Sequence, residues 1–265
     1  MTTGPIFIGG APRSGLTLLR AILDGHPGIS CGPDTGHTAL TLTSADFETT
    51  LGALHEAHFF LSRDTVRESF AAAIAAPMRK RASLQGKRRW ADKSAFNVLV
   101  FERLALLFPD AHFIHLVRDG RDVAASLLER KWRATSGALF EQCASANGAA
   151  RYWAHLVAAG LKAEVAATIA PRILRVRYED LVSDPVASVR LLCSFLGEAF
   201  DPAMIEIDRR RMGLAGLERE TADRLEKPLN LSAAGRWRRD LRPADAAAIF
   251  IAHRPLFQHF GYQIA

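Results

Sequence analysis

The first residues whose types and spacing carry chemistry are Gly9-Gly10-Ala11-Pro12-Arg13-Ser14-Gly15-Leu16-Thr17. Gly and Pro punctuate a tight loop. Arg13 offers a planar fork of donors matched to phosphate or sulfate, and Ser14 and Thr17 add hydroxyls. Ile6-Phe7-Ile8, just before, is the short apolar run of a buried parallel strand, and Leu16, Leu19, Ala21, Ile22 and Leu23 follow with helical spacing. A loop turning from strand into helix gathers backbone N–H groups and the positive end of the helix dipole at one point. That is an anion site. Gly10 and Gly15 have the spacing of a Walker A loop, but Leu16 stands where that loop needs lysine, so ATP hydrolysis is poorly supported.

A second set lies in Phe113-Ile-His-Leu-Val-Arg-Asp-Gly-Arg-Asp-Val-Ala-Ala-Ser126. An apolar strand ends at Arg118, a polar turn follows, and Ser126 and Arg130 stand one helical turn apart on the next helix. A third strand runs through Leu174-Arg-Val-Arg-Tyr178 into Glu179-Asp180, and a short one ends at Asp92-Lys93. Three strand ends thus carry polar turns. To position them, strands must alternate with helices. The spacing predicts helices over Thr38–Pro77, Asn97–Phe108, Asp122–Lys131, Ser136–Val165, Pro185–Leu196 and Pro243–His253, with a short tail after the last. Ser94 is expected to cap the helix that follows it. Asp208–Asn230, charged and weakly periodic, reads as a mobile segment or lid. The fold class is α/β: a single domain over 1–265, with a mainly parallel central sheet flanked by helices and ligands at the strands' carboxyl ends.

These motifs resemble those of the PAPS-dependent sulfotransferases (PAPS is 3′-phosphoadenosine 5′-phosphosulfate). Pro12-Arg13-Ser14-Gly15-Leu16-Thr17 is similar to that family's 5′-phosphosulfate loop, PRSGTT, with Leu16 in place of the first threonine. The resemblance implies a P-loop-nucleotide-kinase-like sulfotransferase fold, with Arg13, Ser14, Gly15, Leu16, Thr17 and Leu18 on the nucleotide. It places Arg118, Ser126 and Arg130 at the 3′-phosphate and brings Tyr178 near the nucleotide. Lys227, Asn230 and Arg236 match the loop that closes over it. Order and spacing from Pro5 to about Leu241 are most similar to the tyrosylprotein branch, through Leu19-Arg-Ala-Ile-Leu-Asp-Gly-His-Pro27, Cys31-Gly32, Asp92-Lys93 and Lys227-Pro-Leu-Asn230. That branch implies Lys93 neutralising charge at the bridging oxygen and an acidic base directly after Cys-Gly. Here Pro33 occupies that position, so Asp34 is the carboxylate available and His37 the alternative. The branch also implies a disulfide from Cys31 to a position near Ala91, which this chain cannot form.

The expected reaction is transfer of the sulfuryl group from PAPS, with PAP (adenosine 3′,5′-bisphosphate) as product and no metal. The acceptor is expected to be peptide tyrosine, with a saccharide, lipid or small-molecule hydroxyl as the alternative. A kinase-like NTPase would need a loop lysine, and a nucleotide-binding protein without activity is kept open by Pro33.

Composition sets the outer bounds. The chain has 265 residues, 49% hydrophobic and 23% charged, with net charge +6. The basic residues fall in short clusters such as Arg79-Lys80-Arg81 and Arg209-Arg210-Arg211 without an aromatic-interleaved stripe, so no nucleic-acid partner is expected. No apolar run reaches the roughly 18 residues of a membrane span. The N-terminus has no charged region ahead of its apolar stretch, and no signal peptide is expected. Three cysteines without CxxC spacing suggest reduced thiols and a cytoplasmic protein. A homodimer is expected by analogy.

Overall fold

The computed structural model describes residues 4–34, 36, 38, 42, 52, 62–133, 136, 138–206 and 233–264. Five strands, β1 (Ile6–Gly10), β2 (Ile29–Cys31), β3 (Arg89–Lys93), β4 (His112–Val117) and β5 (Ile173–Arg177), form one parallel sheet in the order β2-β3-β1-β4-β5. β1 is apolar on both faces, and β4 is apolar between His112 and the buried His115 and beyond it, because both faces are covered. Phe7 packs into one layer with Phe101, Phe113 and Trp153, while Ile6 and Ile8 pack into the other with Leu19, Ile22 and Leu192. β5 lies at the sheet edge and is half-buried throughout, which permits its Arg175 and Arg177.

The helices follow in the βα rhythm that parallel pairing requires. α1 (Leu16–Gly25) leads out of β1; α2 (Arg63–Leu84) and α3 (Phe101–Leu107) flank β3. α4 (Gly120–Arg130) follows β4, and α5 (Glu141–Ala144) and α6 (Ala146–Val165) lead to β5. α7 (Tyr178–Ser183), α8 (Pro185–Leu196), α9 (Trp237–Asp240), α10 (Pro243–Ala252) and α11 (Arg254–His259) complete the described chain.

Several expected boundaries move. Pro77 does not end α2, which runs on to Leu84 with Ala75 and Ala82 buried on either side of it. Ser94 caps a short 3-10 turn, Ala95–Leu99, and the α-helix starts only at Phe101. The expected helix over Ser136–Val165 breaks at Ser145, whose hydroxyl accepts from Gly148 N at 3.0 Å and caps α6. The expected tail contains α11, with a proline in its first turn. Asp208–Asn230 lies outside the described residues.

The topology reverses beside β1: the chain leaves it toward β3 and β2, then returns to β4 on its other side. A crevice for ligands forms outside the carboxyl ends at such a point. Register brings the predicted strand ends there together, with Ile8 opposite Lys93 and Gly10 opposite Leu116.

Candidate functional site

The Gly-rich loop closes with a turn in which Ser14 N donates to Ala11 O at 3.2 Å. Arg13 sits in this turn at φ +73°, left-handed backbone that a side-chain-bearing residue adopts at a cost on the order of 1–2 kcal/mol. Its guanidinium reaches α4, where Nε donates to Ser126 Oγ at 3.0 Å. Ser14 is fully buried, and its hydroxyl has no partner among the described residues. Gly15, at φ +99°, begins α1, and a Cβ there would meet the Tyr178 ring at 2.5 Å. The loop can therefore lie flat against Tyr178 only as glycine. Leu16, Thr17 and Leu18 form the first turn of α1, whose N–H groups face the loop side of the crevice.

At the end of β4, Arg118, Asp119, Arg121 and Asp122 would be ordinary surface ion pairs if exposed. They are 4%, 6%, 2% and 0% exposed. Burial at this depth requires each charge to be paired, and here Arg118 pairs with Asp122 and Arg121 with Asp119. Arg118 donates from one terminal nitrogen to Arg13 O at 3.0 Å and from the other to Ala233 O and, at 3.4 Å, to Asp122 Oδ2. Its guanidinium lies 4.3 Å from the Tyr178 ring centre. Its Nε is buried without a partner among the described residues. Asp119 caps α4 through Arg121 N at 2.8 Å, and Glu179 accepts from Asp119 N at 2.9 Å. Arg118 and Ser126 are thus both tied to the Gly-rich loop through Arg13. Arg130 lies one turn beyond Ser126, part-exposed in the last turn of α4.

At the end of β3, Lys93 is buried and its Nζ lies 3.2 Å from Asp34 Oδ2, while Asp34 Oδ1 accepts from Gly36 N at 2.9 Å. Cys31 and Ala91 are direct partners in the β2–β3 register, as the missing disulfide requires of their positions. All three cysteines are free and buried. Arg20, fully buried in α1, donates to Cys31 O at 3.2 Å.

The sequence marks Asp92 as a strand end and Asn97 as a helix start but gives neither a role at the site. Asn97 Nδ2 donates to Asp92 Oδ2 at 3.0 Å and to Ile8 O at 3.1 Å, and so pins β3 to the end of β1 beneath the loop. Burial pushes the Asp92 carboxyl up to about 6, against the Asn97 hydrogen bond that lowers it. A folded-state value above the ordinary one means that the fold favours the protonated form. Its stability contribution is present below about pH 4 and lost as pH rises through about 6, by up to about 3 kcal/mol. Asp92→Asn keeps the acceptor for Asn97 and has no charge to bury. Its Tm relative to wild type should rise across that window in thermal unfolding at stepped pH; a gap independent of pH would contradict this account.

Arg236 bonds Glu129 of α4 at 3.0 Å and Asp240 at 2.5 Å, which fixes the Gly235–Trp237 segment on α4. His37, Lys227 and Asn230 lie outside the described residues. Among the described residues no group of three or more His, Cys, Asp or Glu side chains is placed to hold a metal ion, and no helix is long and apolar enough to cross a membrane.

With this geometry in place, three comparisons bear on it. The model of the sulfotransferase family matches residues 5–202. The chain is 30% identical to protein-tyrosine sulfotransferase A of Caenorhabditis elegans over 97% of its own length and 67% of the relative's. It is likewise 30% identical to protein-tyrosine sulfotransferase 1 of Danio rerio over 97% of its length and 72% of that protein's. Among solved structures, the sulfotransferase domain of the Synechococcus PCC 7002 olefin synthase superposes with a TM-score of 0.68 at 26% identity, covering 98% of this chain and 94% of that one.

Proposed function

The chain belongs to the sulfotransferase family, and from that premise we propose that it moves the sulfuryl group of PAPS onto the hydroxyl of a peptide tyrosine. The observation that carries the donor assignment is the Arg118–Arg13–Ser126 bridge, with the buried Ser14 hydroxyl and Arg118 Nε beside it still able to donate. Those donors fit a nucleotide with an anionic group at each end. Arg118 and Ser126 hold the 3′-phosphate, with Arg130 further along the same face. Arg13, Ser14, Gly15, Leu16, Thr17 and Leu18 present side chains and backbone N–H groups to the 5′ end, and Tyr178 lies along the nucleotide. Lys227, Asn230 and Arg236 complete the enclosure.

PAPS supplies an activated sulfuryl group, so the protein's work is positioning and charge stabilisation. Lys93 donates to the bridging oxygen as its bond to sulfur breaks. Asp34 takes the proton from the acceptor hydroxyl as the new oxygen–sulfur bond forms, and PAP leaves with the electron pair. Lys93 and Asp34 stand 3.2 Å apart, which places the proton acceptor beside the cation that steadies the leaving group. The acceptor assignment draws on the two tyrosine-specific relatives. Pro33, where their branch is expected to carry an acid, favours a second reading in which the same transfer reaches a saccharide, lipid or small-molecule hydroxyl. Three buried free thiols support a reducing, cytoplasmic location.

Calorimetry tests the donor assignment. PAP should bind at least about tenfold more tightly than ATP·Mg²⁺, and Arg118→Ala should weaken PAP by about 1.5–3 kcal/mol, the value of a hydrogen bond to a charged group. Preference for ATP·Mg²⁺ would contradict it.

A further inference from the structure

Asp122 bonds both Arg118 and the Gly235–Trp237 segment yet has no role in the transfer. It stands in the first turn of α4, fully buried. A buried carboxylate persists only where its oxygens accept hydrogen bonds. Here Oδ1 accepts from Trp237 N at 2.9 Å, and Oδ2 accepts from Gly235 N at 2.8 Å and from Arg118 at 3.4 Å. Two of the three donors come from a segment more than a hundred residues further along the chain. The same segment is fixed at two other points. The Arg121 guanidinium lies 3.9 Å from the Trp237 ring centre, and Arg236 pairs with Glu129.

We propose that Asp122 is a positioning residue that sets the Arg118 guanidinium and holds residues 233–237 against the end of β4, and that the affinity for the donor nucleotide depends on it. This rests on the reading of Arg118 as a nucleotide ligand. Arg118 has three nitrogens. One terminal nitrogen is committed to Arg13 O and the other to Asp122 and Ala233 O, which leaves Nε to donate. Without the carboxylate, both the guanidinium and the backbone of 233–237 lose the acceptor that fixes them relative to one another. The chemistry of transfer stands apart at the end of β3, on Lys93 and Asp34. The loss should therefore fall on nucleotide binding and leave transfer at saturating donor nearly unchanged.

The test compares wild type with Asp122→Asn, which keeps the shape but exchanges one acceptor for a donor facing an N–H. The KM for PAPS and the Kd for PAP should both rise about tenfold, while kcat changes by less than about threefold. A role confined to folding would lower Tm and the active fraction with KM and Kd unmoved, and that result would overturn the proposal. Should Asp122→Asn not accumulate as folded protein, Gly235→Ala disturbs the same contact from the other side. Gly235 sits at φ +72°, and the added Cβ would crowd only the flexible end of Arg238 at 2.9 Å. A Kd for PAP raised about threefold is expected there, and an unchanged one would again overturn it. Wild-type protein that binds no PAP would remove the Arg118 reading itself, whereas tight wild-type binding with unchanged variants removes this proposal alone.

Discussion

Lys93→Ala should lower sulfuryl transfer by roughly 10²–10³-fold, the cost of deleting one preorganised donor to developing charge, while PAP affinity changes by less than about threefold. The expectation follows from where β3 ends. Lys93 is opposite Ile8 in the register with β1, so β3 ends beside the strand that leads into the Gly-rich loop. It is 3% exposed and held by Asp34, so it arrives oriented and largely stripped of water. Charge stabilisation is strongest under those conditions. Asp34, about a third exposed, would be left facing solvent in the variant, so the fold should survive the change. Steady-state kinetics with PAPS, alongside PAP calorimetry on the same preparations, separates the two effects. Equal losses in both would mean that Lys93 holds the nucleotide in its ground state rather than the departing oxygen.

Asp34→Asn should reduce turnover by roughly 10²–10⁴-fold, the usual contribution of a positioned base, with PAP binding spared. Asn keeps the acceptor for Gly36 N and loses only the capacity to take a proton. Unchanged turnover would move the proton transfer to His37.

The sequence made the strands and the nucleotide loop readable because the same residues serve both. β1 and β4 are apolar runs, β4's interrupted by the buried His115, that end in Gly, Arg and Asp, so each strand marks its own functional end. The loop's glycine at position 15 could be named a turn residue, but its reason, the Tyr178 ring packed where a Cβ would be, joins segments far apart in sequence. Depth was the least legible property. Arg118, Asp119, Arg121 and Asp122 have the alternating charges of a solvated helix start, and nothing local reveals that α6 and the C-terminal segments cover them. Trp153 donates to Arg118 O at 3.0 Å, and Arg121 donates to the carbonyls of Gln263 and Ile264. Asp122 could have been suspected from standing four residues after Arg118; its other two partners could not. Short helices hid for a different reason. α5, α9 and α11 span four to six residues, too few for apolar periodicity, and only Pro255 marked the start of α11.

Transfer of labelled sulfate from PAPS to a panel of acidic tyrosine peptides, oligosaccharides and simple phenols, with Arg13→Ala as control, tests the central claim most directly. Arg13 is the residue to remove because it joins the loop to Ser126 and, through its carbonyl, to Arg118. The account predicts label on the tyrosine peptides and its loss in Arg13→Ala. Label confined to sugars or phenols would contradict the tyrosine assignment while retaining the transfer. Absence of label on every acceptor, from protein that still binds PAP, would contradict the account of Lys93 and Asp34 as transfer machinery.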